Sequence, residues 1–163
     1  MKTARGLSLV EMMIAVAALA FIASLALPAA RGSLERQRLK TAAETLAGDL
    51  MEARYEAARS GQAVHVLARP GPDWCWAVSL QPACDCSQAQ PCQLKTVRAR
   101  EFPGISLAQT QPARFLPTGA LHAGAVATQL QSGHGEQLQV ETSALGRSRV
   151  CSPVGRVSGY SGC

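Results

Sequence analysis

The sequence predicts an α+β chain: a long N-terminal helix, apolar in its first half and amphipathic in its second, packed on a small antiparallel β head held by disulfides. Three observations predict it. From Leu7 to Ala30 the chain is apolar except for one charge, Glu11. From Ser33 to Arg59 apolar residues recur at steps of three and four, the period of a helix face. From Gln62 onward, short β-prone runs are punctuated by Gly and Pro. The 163 residues leave room for one globular domain and one extra element, which excludes a two-domain enzyme. Hydrophobic residues make up 47% but aromatics only 4%, so the core is built from small side chains and needs covalent help, which six cysteines can supply.

The first element, residues 7–30, would span roughly 36 Å as a helix, enough for a hydrocarbon core of about 30 Å. A cleaved signal peptide is the competing reading, with Lys2 and Arg5 as its basic start and Ser24-Leu25-Ala26 as its cleavage site. The run is longer than the usual signal core of about 7 to 15 residues, and Glu11 gives a signal peptide nothing. Inside a membrane that carboxylate costs at least about 2.5 kcal/mol, so it needs a partner. Pro28 removes one backbone hydrogen bond and predicts a kink. In the second element, residues 31–61, Leu39, Ala42, Ala43, Leu46, Leu50, Ala53 and Ala57 form the apolar stripe. Glu35, Arg38, Glu44, Asp49, Glu52, Arg54, Glu56 and Arg59 lie between them. Ser60-Gly61 supplies the stop. The head, residues 62–163, has strand candidates at 63–67, 74–80, 94–100, 105–108, 113–116, 125–130, 137–142 and 147–151. Leu138 and Val140 alternate with Gln137, Gln139 and Glu141, as in a sheet with one wet face.

The opening Gly6-Leu7-Ser8-Leu9-Val10-Glu11-Met12-Met13 resembles the prepilin motif of type IV pilins and type II secretion pseudopilins. Its elements are a short basic leader ending in Gly, a small polar residue, aliphatics, and Glu at the fifth mature position. Pro28 falls where many pilins also carry Pro. Leu7 departs from the commoner Phe or Met, which bears on how efficiently it is N-methylated. The resemblance implies a type IV pilin-like fold, removal of leader 1–6 by a prepilin peptidase between Gly6 and Leu7, and methylation of the new amine. It also implies that Glu11 neutralises the Leu7 amine of a neighbouring subunit during filament assembly, a pairing that low-dielectric surroundings favour strongly over two lone charges. Arg31, Arg36, Arg38 and Lys40 follow the apolar run while Lys2 and Arg5 precede it, so the distribution of basic residues does not set the orientation. The resemblance places the head in the periplasm and the helix in the bacterial inner membrane before it joins a pilus or pseudopilus.

Later motifs resemble the GspH/FimT branch: Phe115-Leu116-Pro117-Thr118-Gly119 is similar to its Phe-x-Pro-x-Gly turn, and Gly146-Arg147-Ser148-Arg149-Val150 to its closing Gly-Arg-x-Arg strand. Cys151 and Cys163 resemble the ends of the terminal loop of FimT-like minor pilins, which implies a disulfide between them. With that bridge, two unstrained sets remain, since a bond between Cys84 and Cys86 would be strained. These are Cys75 with Cys84 and Cys86 with Cys92, or Cys75 with Cys86 and Cys84 with Cys92. A zinc site built from Cys75, Cys84, Cys86 and Cys92 lacks paired CxxC knuckles, and a periplasmic location favours disulfides.

The formal charge of +5 is not evenly spread. Leader removal discards Lys2 and Arg5, the stem nearly cancels itself, and beyond Glu141 stand Arg147, Arg149 and Arg156 with no acid. On a strand, Arg147 and Arg149 would share a face and could hold phosphates, with a flexible Gly-rich loop following. In FimT-like proteins the Gly-Arg-x-Arg element is associated with DNA binding during uptake. The resemblance carries this to Gly146, Arg147 and Arg149, and charge adds Arg156. So few cations imply weak, sequence-independent, salt-sensitive affinity. A solvated edge strand is the plainer reading of the same residues. Trp74 and Trp76 alternate with Cys75 as core packing does, in preference to base stacking. His65, His122 and His134 are scattered and Ser132 has no nucleophile setting, so no enzyme, cofactor or metal is expected. The expected function is a FimT-like minor pilin of a type IV pilus, with a GspH-type pseudopilin of type II secretion as the alternative. The expected partners are other pilins or pseudopilins, the prepilin peptidase, the inner membrane and DNA.

Overall fold

The computed structural model describes residues 9–155 and 157–163, the side chains of residues 25–31 excepted. The chain divides into two units, Met1–Leu34 and Glu35–Cys163, and the helix α1, Leu9–Ser60, contributes to both. The leader, Gly6 and Leu7 lie outside the described residues. α1 continues through Pro28, and the kink expected there lies outside the described side chains.

In the first unit the described apolar side chains are exposed, among them Leu9 at 77% and Phe21 at 68%. Among the described residues no helix is long and apolar enough to cross a membrane, and the span expected over 7–30 lies partly outside them. The described side chains of that stretch end at Ser24, about 24 Å of helix after Leu9, short of a hydrocarbon core of about 30 Å.

In the second unit the helical periodicity is borne out. Leu39, Ala42, Ala43, Leu46, Leu50, Ala53 and Ala57 are all buried. They join one core with Val64, Val66, Trp76, Phe115, Leu130, Leu138 and Val140. Each large side chain so buried contributes about 1.5 to 3 kcal/mol. The alanines keep the helix surface shallow enough for the two tryptophans. Asp49, expected among the outward residues, is instead buried at 1% exposure. It stands three residues after Leu46 and four before Ala53, on the apolar stripe. It accepts the indole N–H of Trp76 at 2.7 Å and meets the Lys95 ammonium at 2.5 Å, which satisfies the carboxylate.

The head forms two antiparallel sheets of four strands. The first, in the order β3-β2-β1-β5, comprises β1 Val64–Arg69, β2 Cys75–Ser79, β3 Gln93–Arg98 and β5 Ala113–Phe115. The second, β4-β6-β7-β8, comprises β4 Ile105–Gln109, β6 Val126–Ser132, β7 Gln137–Thr142 and β8 Ser148–Cys151. The predicted strand over 94–100 ends at Arg98, and Ala99–Glu101 form a 3-10 turn. Alternation in β2 sends Trp74 and Trp76 to the core, stacked with ring centroids 5.2 Å apart, so they pack rather than offer faces to bases. The Trp74 indole donates to the Ile105 carbonyl at 2.7 Å.

The cysteines pair as Cys75–Cys86, Cys84–Cys92 and Cys151–Cys163, which selects the second of the two open sets. No cysteine is free, so the four thiolates a zinc site requires do not exist. Cys75 and Ala77 occupy the face of β2 opposite the tryptophans, and the bridge to Cys86 brings the β2–β3 loop over that face. Each bridge closes a short loop and contributes about 2 to 4 kcal/mol by restricting the unfolded chain.

Candidate functional site

Strands β7 and β8 form a hairpin in which Glu141 faces Arg149 and Thr142 faces Ser148. Its turn is closed by the Ser143 N–H on the Arg147 carbonyl at 2.9 Å and the Gly146 N–H on the Ser143 carbonyl at 2.8 Å. Gly146 has φ of +75°, a conformation that glycine adopts without steric cost. A Cβ there would collide with the Gly119 carbonyl oxygen and crowd the Arg54 side chain. The Arg54 Nε donates to that same Gly119 carbonyl at 3.1 Å, and the Leu121 N–H donates to the Ala144 carbonyl at 2.9 Å. The turn around Gly119 and the turn around Gly146 are thus one joint, latched from the helix by Arg54. Sequence reading missed Arg54. Its signal is a cation at the border of the apolar stripe.

The arginines of the hairpin differ from expectation in two respects. β8 begins at Ser148, so Arg147 closes the turn instead of sharing a strand face with Arg149. Arg149 donates from Nε and one terminal nitrogen to Glu141, at 2.9 and 2.7 Å, so its charge is largely cancelled. Arg147 is exposed, and its guanidinium has no partner among the described residues. Both arginines line one groove of about 570 Å³, with Glu141, Val126 and Ala127 on its walls. Arg156 lies outside the described residues.

The segment after β8, expected to be flexible, is fastened. Cys151–Cys163 closes it, and the Ser152 N–H donates to the Ser161 carbonyl at 2.9 Å. Val157 is buried. Lys40 donates to the Ser158 carbonyl at 2.7 Å, and the Tyr160 hydroxyl donates to Glu44 at 2.9 Å. Burial, and then the Glu44 carboxylate, push the Tyr160 hydroxyl up to about 12. Glu141 also lies within 4.8 Å of the Cys151 and Cys163 sulfurs, but both are spent in the disulfide, which leaves one ligand where a metal needs several. The histidines sit on different elements. His65 is on β1, lowered by burial and then by Arg114, and His134 pairs with Glu35. Glu11 is exposed in the first turn of α1.

A long helix whose second half is covered by two small antiparallel sheets, with disulfides closing the loops, defines the α+β type IV pilin fold. Solved structures share it. The type IV minor pilin FimU of Pseudomonas aeruginosa strain PAO1, in two crystal forms, is 18% and 19% identical. It aligns over 69% and 71% of this chain and 91% and 90% of that one, with TM-scores of 0.52 and 0.55. The minor pseudopilin EpsH from the Type 2 Secretion System of Vibrio cholerae is 18% identical over 71% of this chain and 98% of that one, with a TM-score of 0.52. No protein of curated function matches the chain. The family model for the type II transport protein GspH matches residues 42–146, and the chain belongs to that family of minor pilins and pseudopilins. The matched range contains the Gly119 turn and ends on Gly146, the two halves of the joint.

Proposed function

We propose that the protein is a FimT-like minor pilin of a type IV pilus. A prepilin peptidase removes residues 1–6, the segment 7–30 resides in the inner membrane with the head in the periplasm, and the same segment then packs among other pilins in the filament. One observation carries this reading. The described large apolar side chains of the first unit, among them Leu9, Met13, Ile14, Leu19, Phe21 and Ile22, are all more than half exposed. A helix that is apolar around its circumference is stable only when covered by other helices or by lipid. Glu11 is the one charge in that surface and is matched to the Leu7 amine of a neighbour. Breaking a buried pair costs about 3 to 5 kcal/mol, a factor of about a hundred or more in incorporation. Glu11→Ala is therefore expected to leave the head folded and to disappear from sheared filaments; wild-type levels in that fraction would refute the pairing.

A second reading, a GspH-type pseudopilin of type II secretion, is favoured by the family description and by the 98% coverage of EpsH. A deletion strain separates them: lost surface filaments support the first, and exported proteins trapped in the periplasm support the second. DNA contact through Gly146, Arg147, Arg149 and Arg156 belongs to the first reading. It falls chiefly on Arg147, since Gly146 shapes the turn and Arg149 is paired. A single phosphate contact from Arg147 gives weak, sequence-independent binding that needs many subunits.

A further inference from the structure

The face of the first sheet away from the tryptophans carries a second basic feature, which the prepilin and Gly-Arg-x-Arg motifs do not touch. Arg69 pairs with Cys75 across β1 and β2, and Cys75 pairs with Arg98 across β2 and β3. Directly opposed residues of antiparallel strands project to the same face, so Arg69, Cys75 and Arg98 form one row, with the arginine backbones about 10 Å apart. Arg100 follows two residues later in the 3-10 turn. The three arginines border one groove of about 520 Å³, together with Asp73 and with Ser87 and Gln88 of the loop that Cys75–Cys86 ties down.

The charges in this groove are unspent. Among the described residues, none of the three guanidinium groups has an ion-pair or hydrogen-bond partner. Asp85 lies within electrostatic reach of Arg69, but the Ser87 N–H and hydroxyl already occupy its two oxygens, at 2.9 and 2.6 Å. The acids elsewhere are also committed. Of the acidic side chains between Glu35 and Cys163, only Asp73 lacks a partner. Glu44, Asp85 and Glu101 keep their charge, since their partners are neutral hydroxyl and N–H groups, so a ligand for this row must carry several closely spaced negative charges to outweigh the acids beside it. Guanidinium groups spread along a row, not converged on one point, suit a chain of charges. Forked N–H donors suit phosphate oxygens. A nucleic-acid strand presents one phosphate per about 3.4 Å of rise, dense enough to serve all three.

We propose that Arg69, Arg98 and Arg100 form a docking groove for the phosphate backbone of a nucleic-acid strand, held open by the Cys75–Cys86 bridge and separate from the Arg147 turn. The inference does not rest on the filament reading. Its test uses the full chain in detergent, a labelled mixed-sequence single-stranded oligodeoxynucleotide, and anisotropy at stepped NaCl concentrations. Each phosphate contact on a single strand contributes about 0.7 to the log–log salt slope, so Arg69→Ala/Arg98→Ala/Arg100→Ala should reduce that slope by about 2. Affinity at low salt should fall at least tenfold, on the order expected for three lost contacts. Arg147→Ala should remove less than about 1 from the slope. The triple Arg→Lys variant should keep most of the slope and lose affinity through the missing fork. Because none of the three guanidinium groups is bonded among the described residues, circular dichroism and the count of intact disulfides should match wild type. The proposal is overturned if wild type does not bind the strand at low salt. It also fails if the triple Ala variant binds like wild type while Arg147→Ala does not, or if anionic vesicles are retained through these arginines and the strand is not.

Discussion

Replacing Gly146 with Ala separates the architectural part of the Gly-Arg-x-Arg element from its ligand-facing part. Gly146 sits at φ of +75°, and holding an L-residue there costs about 1 to 2 kcal/mol. The new Cβ would also strike the Gly119 carbonyl oxygen, a backbone atom that cannot swing aside, and approach the Arg54 Cδ to 2.9 Å. Relieving such overpacking costs a further 1 to 3 kcal/mol or so. The expected loss is therefore about 2 to 5 kcal/mol, a large part of the roughly 5 to 15 kcal/mol that holds a domain together. At a urea dependence of about 1 to 3 kcal/mol per M, the midpoint should fall by roughly 1 to 2 M. The assay is urea unfolding of the full chain with its disulfides intact, followed by tryptophan fluorescence, since both tryptophans are buried. Arg147→Ala in the same assay should stay within about 0.5 kcal/mol, because its guanidinium has no partner among the described residues. A change below about 0.5 kcal/mol for Gly146→Ala would refute the joint with Gly119. So would a loss for Arg147→Ala comparable to that of the glycine variant.

Asp49→Ala strips the acceptor from the buried Trp76 indole and the partner from Lys95, and should cost about 2 to 4 kcal/mol. Asp49→Asn keeps an acceptor and should cost less than half as much in the same melts; equal losses would show that the indole bond contributes little. Tyr160 is raised to about 12, so its absorbance titration step, identified by its loss in Tyr160→Phe, should lie near there, and a step near the ordinary tyrosine value of about 10 would count against the Glu44 contact. The raised value means that the native state holds the Tyr160 proton more tightly than the unfolded chain. That contribution to stability is complete below about pH 10 and is lost as pH rises from there towards about 12. N-terminal mass analysis of the protein from its host should give a chain beginning at Leu7, with or without a methyl group. A start at Leu27 or Arg31 would remove the filament reading.

The helix and its buried stripe were legible because a period of three and four residues is a direct projection of helix geometry, and all seven named positions are buried, joined by Ala47 and Asp49. Most strands were legible as short β-prone runs between Gly and Pro, and β7 also by its alternation of apolar and polar residues. Where reading by residue type failed, a three-dimensional partner decided the outcome. Asp49 reads as outward by chemistry but inward by phase, and the phase wins because Trp76 and Lys95 satisfy its carboxylate. Arg149 reads as a free cation beyond the last acid of the sequence. Glu141 is eight residues earlier, yet directly across the hairpin, and cancels it. The closing segment reads as flexible from its Gly and Ser content, yet Lys40, Glu44 and a disulfide fasten it. The cysteine pairing was narrowed by the resemblance that implies Cys151 with Cys163 and by the strain of a Cys84–Cys86 bond, and was selected by sheet register, which puts Cys75 on the outer face where Cys86 can reach it.

These partners change what the closing motif can mean. Gly146 is required by the carbonyl of Gly119, and Arg149 is held by Glu141. Both would be kept by a head that never meets DNA. A pilin and a pseudopilin can therefore share the motif for architecture alone, and its presence does not choose between them. Within the Gly-Arg-x-Arg motif only Arg147 is left to contact a ligand, and one phosphate contact changes the salt slope by less than about 1. If this protein takes up nucleic acid, its affinity must come from repetition along a filament or from a second basic surface on each head. The row of Arg69, Arg98 and Arg100 is such a surface. It lies beside the disulfide-bonded loop, so the feature that distinguishes an uptake subunit from a secretion subunit is to be sought there, and not in the motif that both can carry.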